Sequence, residues 1–295
     1  MRLAGLQVVG AAALFSTGGA AIKGVSLEGF RGGMEIASLR SGVAAAAVAG
    51  LLPRARRGWT ARTWMVGAAY AATVVLFVLA NRATTAANAI LLQSTAPLYL
   101  LVAALIALRA RPRVADALVM VVLAAGLALF LGEPGDPLAT APRPELGNAL
   151  AVASGATWAA TLWGLRGAAR GPAPQSAPLA AVLAGNLIAF AACLPFALPL
   201  GAGGRDLLLI AYLGVVQIGL AYLLLTGGLR GVPAFEASLL LLAEPALSPV
   251  WAWAFHDEVP GPAAIAAGCL IIGATVLKLA IDARRGAAAP GAAPP

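Results

Sequence analysis

Arg82–Pro97 reads RATTAANAILLQSTAP, and Arg230–Pro245 reads RGVPAFEASLLLLAEP. A single shift of 148 residues sets Arg82 on Arg230, Ala86 on Ala234, Ala89 on Ala237, Leu91-Leu92 on Leu239-Leu240 and Pro97 on Pro245. The same register carries on to Pro112 over Pro260 and Ala115 over Ala263. Alanine and leucine coincide cheaply in a chain this rich in both. An arginine and two prolines in fixed register do not. A shift of 143 also sets Phe15 on Trp158. The chain is therefore read as two copies of one unit.

What each unit is follows from composition. Of 295 residues, 61% are hydrophobic and only 11% charged, against about 45–50% and about 25% in soluble domains. The mean hydropathy is +0.88. Such a chain cannot cover a water-facing surface with polar groups, so its solvent is lipid. A helix needs about 20 apolar residues to cross a bilayer. Ten such runs are predicted, near 4–22, 33–52, 63–80, 87–107, 115–132, 146–164, 177–200, 206–227, 234–255 and 261–281. The first is read as a retained helix rather than a cleaved leader. The expected fold is an all-α polytopic membrane protein. Residues 1–132 form a first five-helix repeat, 133–145 an external linker loop and 146–285 a second repeat. The Ala/Pro/Gly-only tail, 286–295, is expected to be disordered.

Five is odd, so the second copy must enter the membrane upside down. That predicts a 5+5 inverted-topology repeat around a central cavity, an arrangement secondary transporters use. The charges set its orientation. Arg54, Arg56, Arg57, Arg62, Arg109, Arg111, Arg113, Arg166, Arg170 and Arg230 gather in one set of connections. Glu28, Glu133, Asp136, Glu145, Asp206, Asp257 and Glu258 gather in the other, where the only bases are Lys23, Arg31, Arg82, Arg143 and Arg205. The positive-inside rule places both termini in the cytoplasm of a bacterial inner membrane. The net charge of +8 is thus a topological signal, and no nucleic-acid motif accompanies it.

Few residues at membrane depth could carry chemistry. Glu244, beside Pro245, is the sharpest. It reads as a contact for a substrate ammonium or a proton-coupling acid, or as a structural carboxylate held by Arg40 or by hydroxyl and amide groups. Arg40 either meets a substrate carboxylate, pairs with an acid such as Glu35 or Glu244, or snorkels outward. Pro97 and Pro245 free backbone carbonyls in spans 4 and 9 and read as paired hinges or static kinks. Gln93 and Gln217 are candidate cavity groups, as are, more weakly, Asn88, Ser94, Thr95 and Thr226. Tyr70, Tyr99, Trp158, Trp163 and Tyr222 are the in-span aromatics proposed to contact an apolar or aromatic substrate. Trp59, Trp64, Trp251 and Trp253 read as interfacial belt. Cys193 and Cys269 are expected to be small buried hydrophobes. One histidine, His256, argues against a metal site, and no phosphate loop is present. No cofactor is expected. The partners expected are a small-molecule substrate and the bilayer, with no nucleic acid, in a monomer or weak homodimer.

These features resemble the drug/metabolite transporter superfamily in its ten-helix EamA-type branch. The likeness rests on Gln93-Ser94-Thr95-Ala96-Pro97 mirrored by Ala243-Glu244-Pro245, on Trp158 and on Arg40. Within that branch the chain is most similar to the aromatic amino acid exporters. The resemblance implies alternating access, export of small metabolites, and a cavity lined by spans 3, 4, 8 and 9 with parts of 1 and 6. Those spans lack Lys and Arg in their interiors, unlike relatives that carry phosphorylated sugars. The function expected is export of amino acids, aromatic or hydrophobic ones favoured. Export of another neutral metabolite or drug is the alternative. An intramembrane enzyme would need convergent catalytic groups, and a channel a filter or rings of like groups; neither pattern is present. In a cysteine-free background, Arg57→Cys and Asp136→Cys should react with a membrane-impermeant thiol reagent from opposite sides of sealed vesicles. Same-side labelling would overturn this topology.

Overall fold

The computed structural model describes residues 2–108, 114–132, 139–170, 176–228, 240–241, 243–262, 265–270, 272–274 and 276–277. The 286–295 tail, Arg230, the Arg109–Arg113 connection, Glu133 and Asp136 lie outside them. The described residues are all-helical, with no strand. The elements are α1 (Arg2–Ser16), α2 (Gly18–Lys23), α3 (Gly29–Leu51), a 3-10 turn (Pro53–Arg56), α4 (Ala61–Ala83), α5 (Ala86–Gln93), α6 (Ala96–Leu108) and α7 (Val114–Gly132). They continue with α8 (Pro144–Arg170), α9 (Ala177–Ala197), α10 (Gly204–Tyr212), a π-helical segment (Leu213–Leu220), α11 (Ala221–Gly228) and α12 (Ala243–His256). A shorter apolar helix follows at Ile265–Ala274.

Among the described residues, five helical stretches are long and apolar enough to cross a membrane: Leu3–Lys23, Gly29–Leu51, Ala61–Ala83, Ala177–Ala197 and Gly204–Leu225. Hydrocarbon supplies no partner for a backbone N–H or C=O, so an apolar run that enters it must be helical. The starts are set by side chains. Thr60 and Thr63 form a reciprocal capping box at the head of α4, and the Thr85 hydroxyl accepts from the Asn88 N–H at the head of α5. Gly58, just before α4, has φ +70°, a left-handed turn that glycine adopts without a Cβ penalty.

Three breaks interrupt the helical runs, and local hydroxyl groups satisfy the first two. Between α1 and α2, the Thr17 hydroxyl donates to the Leu14 carbonyl (2.7 Å) and pairs with the Tyr212 hydroxyl (2.8 Å). Between α5 and α6, Ser94 Oγ donates to the Ile90 carbonyl and Thr95 Oγ1 to that of Leu92. This break comes just ahead of Pro97, which enters the first turn of α6. In the eighth predicted span, the ladder widens to π geometry over Leu213–Leu220.

The halves interlock through small residues. α4 packs along both α8 and α9, α3 along α9 and the π segment, and α1 along α11 and α12. At these crossings a glycine faces backbone or a bulky ring. A Cβ on Gly185 would lie 2.5 Å from Tyr70 and 2.7 Å from the Gly67 carbonyl; one on Gly214 would lie 2.8 Å from the Arg40 carbonyl. Helices in lipid gain by such close approach, because no hydrophobic force drives them together. Cys193 is buried in the core with Ile22, Val78 and Ile210. Cys269, expected to be buried, is exposed on the helix surface, where an apolar residue faces lipid at no cost. Gly185→Ala should cost about 1–3 kcal/mol through overpacking, read as a lower Tm in detergent. Gly50→Ala, which meets nothing within 4 Å, should leave Tm unchanged or slightly raised.

Candidate functional site

Two polar constellations lie inside the apolar frame. The first closes the end of the bundle at which α2 stops and α3 starts. Lys23 Nζ meets Glu258 Oε1 at 2.9 Å, with both side chains 2% exposed. Lys23 also donates to the Thr84 carbonyl at 2.8 Å and to that of Thr140. Glu258 Oε2 accepts the Ala86 N–H at 2.8 Å, at the positive end of α5. The pair thus joins α2, the α4–α5 turn, the connection before α8 and the segment after α12. Around it, the Arg82 guanidinium donates to the carbonyls of Ile22, Val25 and Leu27. Asp206 accepts from Ser26 N and Oγ at 2.8 and 2.6 Å. Glu35 Oε1 accepts the N–H groups of Gly201 and Ala202, both at 2.8 Å.

The second constellation sits deep in the molecule. Tyr70 of α4 and Tyr222 of α11 meet edge to face, with centroids 6.0 Å apart. Asn186 of α9 donates to the Tyr70 hydroxyl at 3.2 Å and to the Val182 carbonyl at 2.9 Å. Phe15 of α1 packs edge-on against Tyr222 at 5.2 Å, and Gln217 Nε2 reaches the Phe15 carbonyl at 3.5 Å. Arg40, 3% exposed, lies in electrostatic reach of both tyrosines, and Glu244 in reach of Tyr222.

Several candidates converge here and several do not. Arg40, Tyr70, Gln217, Tyr222 and Glu244 share the deep cluster. Arg40 makes no ion pair with Glu35, whose Oε1 caps the 201–202 turn, nor with Glu244. Among the described residues the ion pair is Lys23–Glu258. Arg40 also does not snorkel, since α3 carries it into the packed centre. A basic group therefore faces the tyrosines, although the cavity spans expected from sequence contain none; it arrives from span 2.

Gln93 and Tyr99 sit together on another face. Gln93 Nε2 donates to Ser154 Oγ at 2.7 Å, and the Tyr99 hydroxyl to the Val152 carbonyl at 3.3 Å, tying α5 and α6 to α8. Thr73 bonds Thr157 at 3.0 Å along the same seam. Trp158 is half-buried on α8, and Trp163 is 43% exposed on the outer surface, away from the cluster. Ser94 and Thr95 bond their own helix; Asn88 is half-buried on α5. Pro245 is buried in the first turn of α12. The side chains of Pro97 and Thr226 lie outside the described residues. In the proposed belt, Trp59 packs edge-on against Trp64 at 5.0 Å, whereas Trp251 donates to Ser16 Oγ at 2.9 Å. His256 shares a hydrogen bond with the Ala20 carbonyl at 2.7 Å.

Sequence reasoning missed Asn186. Its signal was a lone amide inside the otherwise apolar 177–200 run. It also counted Lys23 and Glu258 only as loop charges, because 235 residues of chain separate them and no local pattern links them.

Residues 145–279 match the model of the EamA-like transporter family. No curated protein matches the chain. One similar solved structure, a crystal structure, shares 22% identity with a TM-score of 0.63, over 95% of this chain and 98% of that one. That likeness is one of fold.

Breaking the buried pair should be costly. Glu258→Gln leaves the Lys23 ammonium uncompensated and should destabilise the protein by about 3–5 kcal/mol, whereas Lys23→Met with Glu258→Met should recover most of that. Thermal unfolding in detergent checks both. A double variant no more stable than Glu258→Gln would show that the pair is not the unit at work.

Proposed function

We propose, from the premise that residues 145–279 belong to the EamA-like transporter family, that the chain is a secondary transporter working by alternating access. It exports amino acids, with aromatic or hydrophobic ones favoured, across the bacterial inner membrane, both termini cytoplasmic. The family is one of membrane transporters of small metabolites; the substrate class, the direction and the mechanism are our reading.

The observation that carries it is the constellation of buried Arg40, Tyr70, Asn186 and Tyr222 with half-buried Glu244, between elements of both halves. A packed hydrophobic core has no use for an arginine, a carboxylate and two phenols at membrane depth. Ionisable groups there are expensive and belong to substrate or ion pathways. The phenol rings and Phe15 offer an apolar, quadrupolar wall for an aromatic side chain.

The pattern of helix contacts supports an inverted repeat of ten spans. Exchange spans 1–5 with 6–10, and the most extensive contacts between halves have counterparts. α4 on α8 (spans 3 and 6) answers α11 on α1 (8 and 1). α4 on α9 (3 and 7) answers the π segment on α3 (8 and 2). α5 on α8 (4 and 6) answers α12 on α1 (9 and 1), and α3 on α9 (2 and 7) maps onto itself. Tyr70 and Tyr222 come from corresponding spans, 3 and 8. Two near-equivalent halves can exchange conformations and expose one central site to alternate sides. The Lys23–Glu258 closure fits a barrier on the external side, with Pro97 and Pro245 as the flexing points of spans 4 and 9.

Reconstituted vesicles loaded with unlabelled amino acid should take up labelled amino acid in saturable counterflow. Substrate turnover would indicate an enzyme, and unsaturated conductance a channel. With matched insertion, Glu244→Gln should lower aromatic amino acid flux about tenfold or more. Unchanged flux with unchanged pH dependence would remove Glu244 from the transport pathway.

A further inference from the structure

Arg40 lies midway along α3 and is 3% exposed, yet its Nε and Nη1 are buried without a hydrogen-bond partner among the described residues. A guanidinium is always charged and presents donors in a planar fork that matches a carboxylate. An uncompensated one at this depth is among the costliest groups a membrane protein can hold. The nearby acids do not relieve it. Glu35 Oε1 is taken by the Gly201 and Ala202 amides, and Glu244 forms no ion pair with it. Two phenols, Tyr70 and Tyr222, lie within its electrostatic reach instead. A phenol oxygen can share a hydrogen bond but cannot neutralise the charge.

The surroundings hold this arrangement in place. Asn186 fixes the Tyr70 hydroxyl from α9, and Gly214 lets the π segment close against the Arg40 backbone. Near Tyr222 there is also an unmet need of opposite sign. Gln217 Oε1 is a buried acceptor with no partner among the described residues, on the residue that reaches Phe15, and Glu244 forms no ion pair among the described residues. Arg40 thus lacks an acceptor and Gln217 lacks a donor.

We propose that Arg40, framed by Tyr70 and Tyr222, is a carboxylate subsite, so that the ligand of the central cluster carries an anionic head at the α3 side. This rests on the transport reading above and narrows it. A neutral drug or a simple amine lacks the group that Arg40 requires, and an amino acid supplies it. Glu244 and Gln217 then face the ammonium end.

The test is ligand-induced thermal stabilisation of the full chain in detergent, with phenylalanine, phenylacetate and phenethylamine as probes. Phenylalanine and phenylacetate should stabilise the wild-type protein, and phenethylamine should not. In Arg40→Gln the concentration of phenylacetate giving half the stabilisation should rise about 30-fold or more. Arg40→Lys keeps the charge but loses the fork, so its loss should be smaller; it also serves if the glutamine variant fails to fold. Three results overturn the proposal. They are phenethylamine acting as well as phenylacetate, neither carboxylate acting, and phenylacetate acting equally on the wild-type protein and the Arg40 variants. If phenylacetate acts through Arg40 while phenylalanine does not, the carboxylate subsite stands and the amino acid reading falls.

Discussion

Inside hydrocarbon every backbone polar group must find its partner within the protein, and the rest of this structure depends on that constraint. It makes each long apolar run a helix and decides where a helix can stop. The interruptions fall at Thr17 and at Ser94-Thr95, where hydroxyl groups take up the carbonyls of Leu14, Ile90 and Leu92. The same constraint forces the helices to meet closely. Gly67, Gly185 and Gly214 sit where a side chain would strike backbone or a ring, so the two halves interlock over much of their length.

Charge is handled with equal economy, and the handling separates frame from site. At one end of the bundle the buried or half-buried charges are matched. Lys23 has Glu258 and two carbonyls, Glu35 has two amides, Asp206 has Ser26, and Arg82 has three carbonyls. These contacts tie loops to helix ends and define a closed face. At the centre, Arg40 and Glu244 form no ion pair among the described residues. These two are the groups that the proposed transport reading assigns to a ligand.

Much of the frame was legible in the chain. Apolar runs predicted the described helices to within a few residues, because length and hydropathy alone decide what can reside in lipid. The depth of Arg40, Tyr70, Tyr222 and Glu244 was equally readable, since position within a span is a one-dimensional quantity. Their neighbours were not. Arg40 was assigned possible partners in Glu35 and Glu244, but helix rotation turns Glu35 onto the 201–202 turn and Arg40 onto the tyrosines. Gln93 and Tyr99 have the composition of cavity residues, yet they fasten α5 and α6 to α8. Trp163 lies in a predicted span and is exposed on α8. Rotation about a helix axis leaves little trace in a span that is apolar on all sides.

The sequence by itself determined that this is a helical membrane protein, where its helices run, and which few polar residues lie at depth. It could do so because the bilayer acts on each segment separately, through apolar length. Only the tertiary structure decided which of those residues meet. Lys23 with Glu258, Asn186 with Tyr70, and Tyr70 with Tyr222 are contacts between distant segments. They are set by how glycine- and alanine-lined faces pack, and that packing is a property of pairs of helices rather than of any one of them.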